Sequence, residues 1–494
     1  MFEAAEVGHK VRKAEYETLV PQLRVDLVNA QYDLRQADFP VIIVIAGNDR
    51  AGCNDILRKL HEVMDARFMQ TNALGPPTEE ELERPRFWRY WRRLPPRGRI
   101  GIFLGAWVSA LIRERFDSTL GPVQVRQQID HIRRFEEHLV NDGALLLKFW
   151  LHLPRKELKK RLKQARKHPE RGWQVDTEDW EIYSRYDKVL PIAEQVVRET
   201  STGEAPWHIV ESTDPHYRNL HITRTILESL TRRLMQPQAA VAPPGNGQVV
   251  NTITEDDPTI LDMVDLSRKL PRAEYRAQLR TYQAQLNRLT RQAREVGLTS
   301  VLVFEGWDAA GKGGVIRRLI TAMDPVNFQI VPIAAPTEEE KAHHYLWRFW
   351  RHLPRAGRVL IFDRSWYGRI LVERIEGFAS EPEWRRAYSE INAFEEQLSE
   401  HGILLMKFWL HIDADEQMRR FQARLDTPYK KFKMTEEDYR NRDKWRDYEL
   451  ALHEMVQRTS TEYAPWHLVS ANNKPWARVE VLKMHCRQLK RRLG

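Results

Sequence analysis

Short runs of apolar residues alternate along this chain with longer segments in which apolar residues recur every three or four positions. The short runs predict buried strands, and the longer segments predict helices that cover them. This alternation is typical of a doubly wound α/β domain, in which helices cover both faces of a parallel sheet. The predicted helices that open the two halves are 14–36 and 273–295, and the strands predicted in the second half are 300–304, 329–333, 358–362, 403–410 and 467–469.

The chain contains the same module twice, because its halves align without a gap at a constant offset of 259 residues. A repeat of this length predicts two domains of one fold in tandem. Residues 236–257 are rich in Pro, Gly and Ala and show no helical or strand period, so we interpret them as a linker between domains at 1–235 and 258–494. Matching segments include Trp88–Pro95 with Trp347–Pro354, and Lys148–His152 with Lys407–His411.

The composition narrows the class of protein. With 42% hydrophobic and 30% charged residues, the chain has the balance of a globular protein and not of a disordered one. Its two cysteines cannot form a disulfide framework, and the start of the sequence lacks a secretory signal, so we expect a cytoplasmic protein. The longest apolar run, Val41–Ala46, is far shorter than the roughly 18 residues of a membrane helix, so no membrane association is expected. The net charge of +9 is compatible with a polyanionic partner.

A glycine-rich loop follows the first predicted strand of the second copy. Gly306 and Gly311 enclose four residues, and Lys312 and Gly313 come next, ahead of a predicted helix. Glycines allow the tight turn that directs backbone N–H groups at phosphate oxygens, and the lysine adds positive charge. The bland alternative is an ordinary strand-to-helix turn with a surface lysine. The spacing and the context favour a phosphate-binding loop.

The loop departs from the usual pattern at one position. Gly313 stands where a Ser or Thr normally supplies a hydroxyl to magnesium. Asp308, inside the loop, and Asp363, at the end of a predicted strand, would both lie at the carboxyl edge of the sheet. Their carboxylates suit Mg²⁺ that bridges phosphates, although Asp363 could instead cap the next helix.

The first copy has lost the charged groups at these positions. Cys53 aligns with Lys312, Leu104 with Asp363, and Gly105 with the residue after Asp363. Phosphoryl transfer depends on such charges, so we expect the first copy to be catalytically inactive. Cys53 is then either a small residue that fills the vacated space or a reactive thiol.

Three segments of the second copy, 306–313, 363–367 and 424–433, together resemble the polyphosphate kinase 2 family. The resemblance covers both copies, and the fused layout is similar to the branch of the family that phosphorylates AMP. It implies a thymidylate-kinase-like P-loop fold and Mg²⁺-dependent transfer of the terminal phosphoryl group of inorganic polyphosphate to AMP, which gives ADP. Because the two copies align without a gap, we expect them to pair within one chain as the two subunits of a homodimer would, and a homo-oligomer stays open.

The same resemblance implies roles for individual residues. Asp308 and Asp363 would hold the metal and the acceptor phosphate, and Lys312 and Arg364 would grip the transferred group. Arg424 would belong to a mobile lid. The basic positions of the family's lid motif correspond to Lys430 and Lys433.

Two other functions remain open from the sequence. One is an ATP-dependent nucleotide kinase, which the absent hydroxyl after Lys312 and the basic segment 419–433 disfavour relative to polyphosphate as the donor. The other is a basic nucleic-acid-binding protein with a relic P-loop, because the charge and the interleaved Trp and Arg residues would suit one. The sequence contains no recognisable nucleic-acid-binding motif, and we expect no such partner.

Overall fold

The computed structural model describes residues 1–167, 177–235, 257–428 and 436–494. The chain forms two compact units, each built largely from one half of the sequence. Two short segments are assigned across the halves: Thr78–Trp88 belongs to the second unit and Glu338–His344 to the first.

Each unit contains a five-stranded parallel sheet within the described part of the chain. The spatial order is β2-β3-β1-β4-β5 in the first unit, and the second unit repeats it as β7-β8-β6-β9-β10. The strands are β1 (Val41–Gly47), β2 (Met69–Ala73), β3 (Ile100–Leu104), β4 (Leu145–His152), β5 (Trp207–Glu211), β6 (Ser300–Gly306), β7 (Phe328–Pro332), β8 (Val359–Asp363), β9 (Leu404–His411) and β10 (Trp466–Ser470).

Helices connect the strands and cover the sheets. Those of the first half are α1 (Lys13–Leu34), α2 (Arg50–Val63), α3 (Glu79–Leu82), α4 (Trp88–Trp91), α5 (Trp107–Phe116), α6 (Pro122–Asn141), α7 (Arg155–Lys167), α8 (Thr177–Ser184), α9 (Tyr186–Glu199) and α10 (Pro215–Met235). Those of the second half are α11 (Arg272–Glu295), α12 (Lys312–Ile320), α13 (Glu338–Lys341), α14 (Trp347–Trp350), α15 (Val372–Ile375), α16 (Glu381–Glu400), α17 (Ala414–Leu425), α18 (Glu436–Asp443), α19 (Trp445–Thr459) and α20 (Lys474–Leu493).

The predicted α/β class is confirmed, and the predicted strands of the second copy agree with the observed ones to within two residues. The central strands β1 and β6 are buried along nearly their whole length. A strand with helices on both faces needs apolar residues at every position, which is why these strands appear in the sequence as continuous apolar runs. No helix among the described residues is long and apolar enough to cross a membrane.

A buried ion pair fixes the segment that follows β8. The Lys407 ammonium on β9 donates to Glu395 Oε2 on α16 at 2.7 Å and to the Tyr367 hydroxyl at 2.8 Å. It also donates to the Thr459 carbonyl at 2.7 Å, and both charged side chains are fully buried. A buried charge is tolerated only when its hydrogen bonds are satisfied, as they are here. Because Tyr367 lies four residues beyond Asp363, this network holds the carboxyl end of β8 against the sheet.

Candidate active site

The loop between β6 and α12 has the backbone geometry of a phosphate-binding loop. Ala309 and Gly311 have left-handed conformations, with φ of 62° and 110°. Gly306 has φ of 145°, and a Cβ atom there would lie 2.6 Å from the Leu410 carbonyl oxygen, so only glycine fits. These turns keep residues 307–311 out of the helix, and α12 begins only at Lys312. The N-terminus of α12 therefore opens at the carboxyl edge of the sheet, where it favours an anion.

Lys312 folds back across this loop. Its ammonium donates a hydrogen bond to the Gly306 carbonyl oxygen at 2.6 Å. The side chain is half-buried, so the charge stays at the loop and does not extend into bulk solvent. A phosphate group at the loop would therefore meet this cation directly.

Asp308 and Arg364 meet at the same edge. Asp308 Oδ1 lies 3.3 Å from Arg364 Nη2, and Asp308 Oδ2 accepts a hydrogen bond from Asn441 Nδ2 at 2.9 Å. The Gln417 side chain donates to the Asp308 backbone carbonyl at 3.2 Å. Asp308 is thus held from three elements. Arg364 has a left-handed backbone, with φ of 66°, and its side chain is about half exposed.

Asp363 is the last residue of β8 and is half-buried. It is the register partner of Phe304 on β6 and of Pro332 on β7. Its carboxylate forms no hydrogen bond or ion pair with any residue that the structure describes. The carboxylate therefore remains available to a ligand.

A cavity of about 630 Å³, counting its open mouth, lies over these residues. Four predicted site residues line it: Gly306, Asp308, Lys312 and Arg364. Asp363, Gly311, Gly313 and Arg424 are not among its lining residues. The other lining residues are Glu305, Trp307, Gly368, Leu371, Val372, Trp409, Gln417, Asn441 and Tyr448.

Glu305 is a lining residue to which our sequence analysis gave no role. It precedes Gly306, is only 6% exposed, and accepts a hydrogen bond from the Ser365 hydroxyl at 2.8 Å. Burial raises the pKa of its carboxyl, while the neighbouring Lys312 opposes the shift. A comparison of the two copies could have found this pair. In the first copy, Ala46 aligns with Glu305 and Ala106 aligns with Ser365, so both polar side chains are present only in the second copy.

Aromatic side chains form another wall of the cavity. The Trp307 ring stacks on Trp445 with 3.7 Å between centroids and an angle of 9°. The Trp307 indole N–H donates to His411 Nδ1 at 3.0 Å. Burial lowers the pKa of His411 to about 4, so the ring is neutral near pH 7 and can accept this hydrogen bond. In contrast, Trp347 and Trp350 are buried and belong to the core of the domain.

The basic residues of α17 have different environments. Arg420 is only 3% exposed and donates to the carbonyl oxygens of Ala309 and Ala310 at 3.0 and 2.8 Å. It therefore supports the phosphate loop from beneath and is not part of an open basic row. Arg424 lies in the last turn of α17, with its guanidinium carbon 6.0 Å from the Phe421 ring centroid. Lys430 and Lys433 lie outside the described residues.

The corresponding loop of the first copy is helical. α2 begins at Arg50, which aligns with Ala309, so the first copy has helix where the second has an open loop. Asp49 caps this helix by accepting a hydrogen bond from the Gly52 N–H at 3.0 Å. Asp49 is 1% exposed and is ion-paired with the buried Arg218. The carboxylate that faces the cavity in the second copy is therefore enclosed in the first.

Cys53 belongs to this helix and is buried. Burial, followed by the nearby charge of Asp49, raises the pKa of its thiol far above the ordinary range. A thiol in this environment stays protonated and is not a nucleophile. Of the two interpretations of Cys53, the space-filling residue is the one that fits the structure.

Comparisons with known proteins find similarity over both copies of the chain. The family profile described as polyphosphate kinase 2 matches residues 10–238 and 269–493. A polyphosphate:AMP phosphotransferase from Pseudomonas aeruginosa is 50% identical, over 98% of this chain and 97% of that protein. A second, from Pseudomonas syringae, is 46% identical over the same shares. A crystal structure from Pseudomonas aeruginosa, assigned to polyphosphate kinase 2, superposes with a TM-score of 0.89 at 48% identity and covers 100% of this chain and 99% of that one.

Proposed function

Because this chain belongs to the polyphosphate kinase 2 family, we propose that it transfers the terminal phosphoryl group of inorganic polyphosphate to AMP, which gives ADP. The relatives that cover nearly the whole chain, including both copies, carry the name polyphosphate:AMP phosphotransferase. The observation that carries the proposal is the second copy's cavity, which Lys312, Asp308 and Arg364 line together beside an intact phosphate loop.

The reaction places definite demands on these residues. An oxygen of the AMP phosphate attacks the terminal phosphorus of the donor, and the bond from that phosphorus to the bridging oxygen breaks. The chain leaves one phosphate shorter. Negative charge spreads over the transferred group as it moves, and fixed cations stabilise it. Lys312 and Arg364 would supply that charge, while the N–H groups around Gly306, Gly311 and Gly313 hold the phosphate oxygens.

The residues present suit a divalent cation, and we propose Mg²⁺. Among the described residues no three His, Cys, Asp or Glu side chains cluster tightly enough to enclose a metal. Mg²⁺ in kinases instead takes one or two carboxylates and completes its shell with water and phosphate oxygens. These ligands would be Asp308 and Asp363, whose carboxylate forms no hydrogen bond or ion pair with another described residue. When bound, the ion would neutralise phosphate charge and align the donor with the acceptor.

Residues beyond the cavity complete the proposal. We assign Arg424, Lys430 and Lys433 to a lid that closes over the donor, because Arg424 ends the helix that supports the loop and the two lysines belong to the basic stretch of sequence that follows it. Closure would exclude water, which competes with AMP as the acceptor. We assign no catalysis to the first copy, since its loop is helical and Asp49 is buried.

The test is an assay of the purified full chain with AMP, long-chain polyphosphate and Mg²⁺ in the absence of ATP. The expected product is ADP, and the Lys312→Ala variant is the matched inactive control. Formation of ADP only when ATP replaces polyphosphate would instead support an ATP-dependent nucleotide kinase. Absence of ADP under both conditions would overturn the assignment to AMP phosphorylation.

A further inference from the structure

A group of basic side chains lies beside the first turn of α12, outside the cavity described above. Lys474 is the first residue of α20, and Arg478 lies one turn later. The Arg478 guanidinium packs against Gly314, where an added Cβ would lie 3.2 Å from Arg478 Nη2. The guanidinium groups of Arg419 and Arg420 on α17 are close enough to act electrostatically on Lys474. Four cations therefore gather at one side of the phosphate loop.

The group is only partly neutralised. Glu416 pairs with both Arg419 and Arg420. Lys474 and Arg478 form no hydrogen bond or ion pair with another residue of the described segments. Partial burial, together with the like charges of the three arginines, lowers the pKa of Lys474 to about 8, although Glu416 opposes the shift. Cations that repel each other in this way bind a multivalent anion favourably.

The group is continuous with the phosphate loop. Arg420 donates to the carbonyl oxygens of Ala309 and Ala310, which places its neighbours next to the loop. Gly313, at the start of α12, is exposed, and no atom lies within 4 Å of the Cβ position there. The space between the loop and α20 is therefore open to an extended ligand.

The first copy provides an internal comparison, because it keeps cations at the positions of Arg419 and Arg420, namely Lys160 and Arg161, but lacks the two cations of α20. It has neither the lysine nor the arginine, and a carboxylate replaces the glycine against which Arg478 packs. Asp55 pairs with Arg58 and lies 3.7 Å from Arg218, so this carboxylate already has arginine partners in the first copy. The aligned residues are Pro215 for Lys474, Asn219 for Arg478 and Asp55 for Gly314.

We propose that Lys474 and Arg478 form a subsite for the donor, which binds the phosphates of the polyphosphate chain that follow the transferred group. The inference rests on the proposed function and extends it to the path of the donor. A linear polyphosphate presents a row of negative charges, and two unpaired cations beside the loop match such a row. The subsite favours long chains over short ones, because only a long chain fills it while its end occupies the loop.

The test compares the wild type with Lys474→Ala/Arg478→Ala. The control Arg487→Ala/Lys490→Ala removes two exposed charges from the same helix. We expect the double variant to raise the KM for long-chain polyphosphate about tenfold and to leave the KM for AMP unchanged. The control should keep the wild-type values. A KM for long-chain polyphosphate equal to that of the wild type would overturn the subsite.

A second variant guards against loss of folding. Gly314→Asp introduces the residue that the first copy has at the aligned position, Asp55, and places a carboxylate against Arg478 without removing a cation. It should also raise the KM for long-chain polyphosphate. Thermal unfolding of each variant shows whether the fold is intact.

Direct binding separates this inference from the proposed function. Equilibrium titration of long-chain polyphosphate without AMP should show the same tenfold loss of affinity. If the wild type bound polyphosphate tightly but made no ADP, the function would fail while the subsite stood. If the wild type made ADP and all variants bound polyphosphate equally, only the subsite would fail.

Discussion

The Ser365 hydroxyl donates a hydrogen bond to Glu305, with 2.8 Å between Ser365 Oγ and Glu305 Oε1. Glu305 lies in β6 immediately before the phosphate loop, and Ser365 directly follows Arg364 beyond the end of β8. The bond therefore joins the segment that carries Lys312 to the segment that carries Arg364, and both partners are nearly inaccessible to solvent.

Ser365→Ala should weaken this connection. Removal of one partner leaves a buried carboxyl oxygen without this hydrogen bond, which costs about 1–3 kcal/mol, so we expect a loss of that size in the free energy of unfolding. The turnover rate should fall about tenfold, because Arg364 is then less firmly placed relative to the loop. Chemical denaturation and steady-state kinetics measure both effects. The control is Ser389→Ala, which removes an exposed hydroxyl from α16, and equal behaviour of the two variants would contradict a positioning role for Ser365.

Lys312→Ala should lower the turnover rate about 100- to 1,000-fold, because it removes a cation that stabilises the transferred phosphoryl group. The half-buried side chain contributes little to the core, so the thermal unfolding midpoint should stay near that of the wild type. The matched control is Cys53→Ala at the aligned position of the first copy, which should leave the rate unchanged. Comparable loss of rate in both variants would show that the first copy takes part in the chemistry.

Arg420 and Arg419 are neighbours on α17 with opposite environments. Arg420→Ala leaves Glu416 without its buried partner and frees the carbonyl oxygens beneath the loop, so we expect a loss of about 3–5 kcal/mol in the free energy of unfolding. Arg419, which is 70% exposed, should contribute less than about 1 kcal/mol when replaced by Ala. Urea denaturation of the two variants gives the comparison, and equal losses would refute the supporting role of Arg420.

His485 lies on α20 and is fully buried, with no hydrogen-bond partner for either ring nitrogen among the described residues. Burial lowers its pKa from 6.5 to about 4. Between these two pKa values the unfolded chain binds a proton on this histidine that the folded chain excludes. The free energy of unfolding therefore decreases as the pH falls below about 6.5. The loss from this residue between about pH 7 and about pH 5 is about 2 kcal/mol.

His485→Ile introduces the residue that the first copy has at the aligned, equally buried Ile226. We expect the variant to lose this share of the acid sensitivity. Denaturation at both pH values measures the difference, with His61→Gln on the exposed face of α2 as the control. An unchanged pH dependence in His485→Ile would contradict the assignment.

The sequence predicted the elements whose signal is local. β1 and β6 were recognisable because strands covered on both faces need continuous apolar runs. The phosphate loop was recognisable because Gly306, Gly311 and Lys312 stand at a spacing that the backbone requires. These features depend on neighbouring residues, and so a single sequence contains them.

Features that depend on distant residues could not be predicted in this way. Nothing near Trp307 in the sequence indicates that Trp445 stacks on it, because only the fold brings the two rings together. The inward direction of Arg420 was missed for a similar reason, since an arginine on a basic helix resembles an exposed one until its carbonyl partners are known. Glu305 is intermediate between a local signal and a contact between distant residues. No neighbouring residue reveals its role, but the alignment of the two copies shows an alanine at the equivalent position of the first copy.

Restoring two lost side chains should not revive the first copy. The test introduces Cys53→Lys/Leu104→Asp into the Lys312→Ala variant, in which the second copy is inactive. We expect the triple variant to show no activity above that of Lys312→Ala alone. The backbone is the obstacle, because α2 starts at Arg50 and Asp49 remains turned inward as its cap. Recovery of measurable ADP formation would mean that the helical turn reopens when a phosphate group binds.

The helical start of α2 also has a consequence for the history of the chain. A lost side chain can return by a single mutation, but a loop that has become a capped helix needs several simultaneous changes before any of them confers an advantage. Asp49, Arg218 and Gly52 now stabilise one another in the closed form. Each further substitution that suits the helix makes reversal less accessible to selection. We therefore expect a return to the open loop to require changes at several of these positions together, so that the first copy is retained for what it contributes as a folded domain.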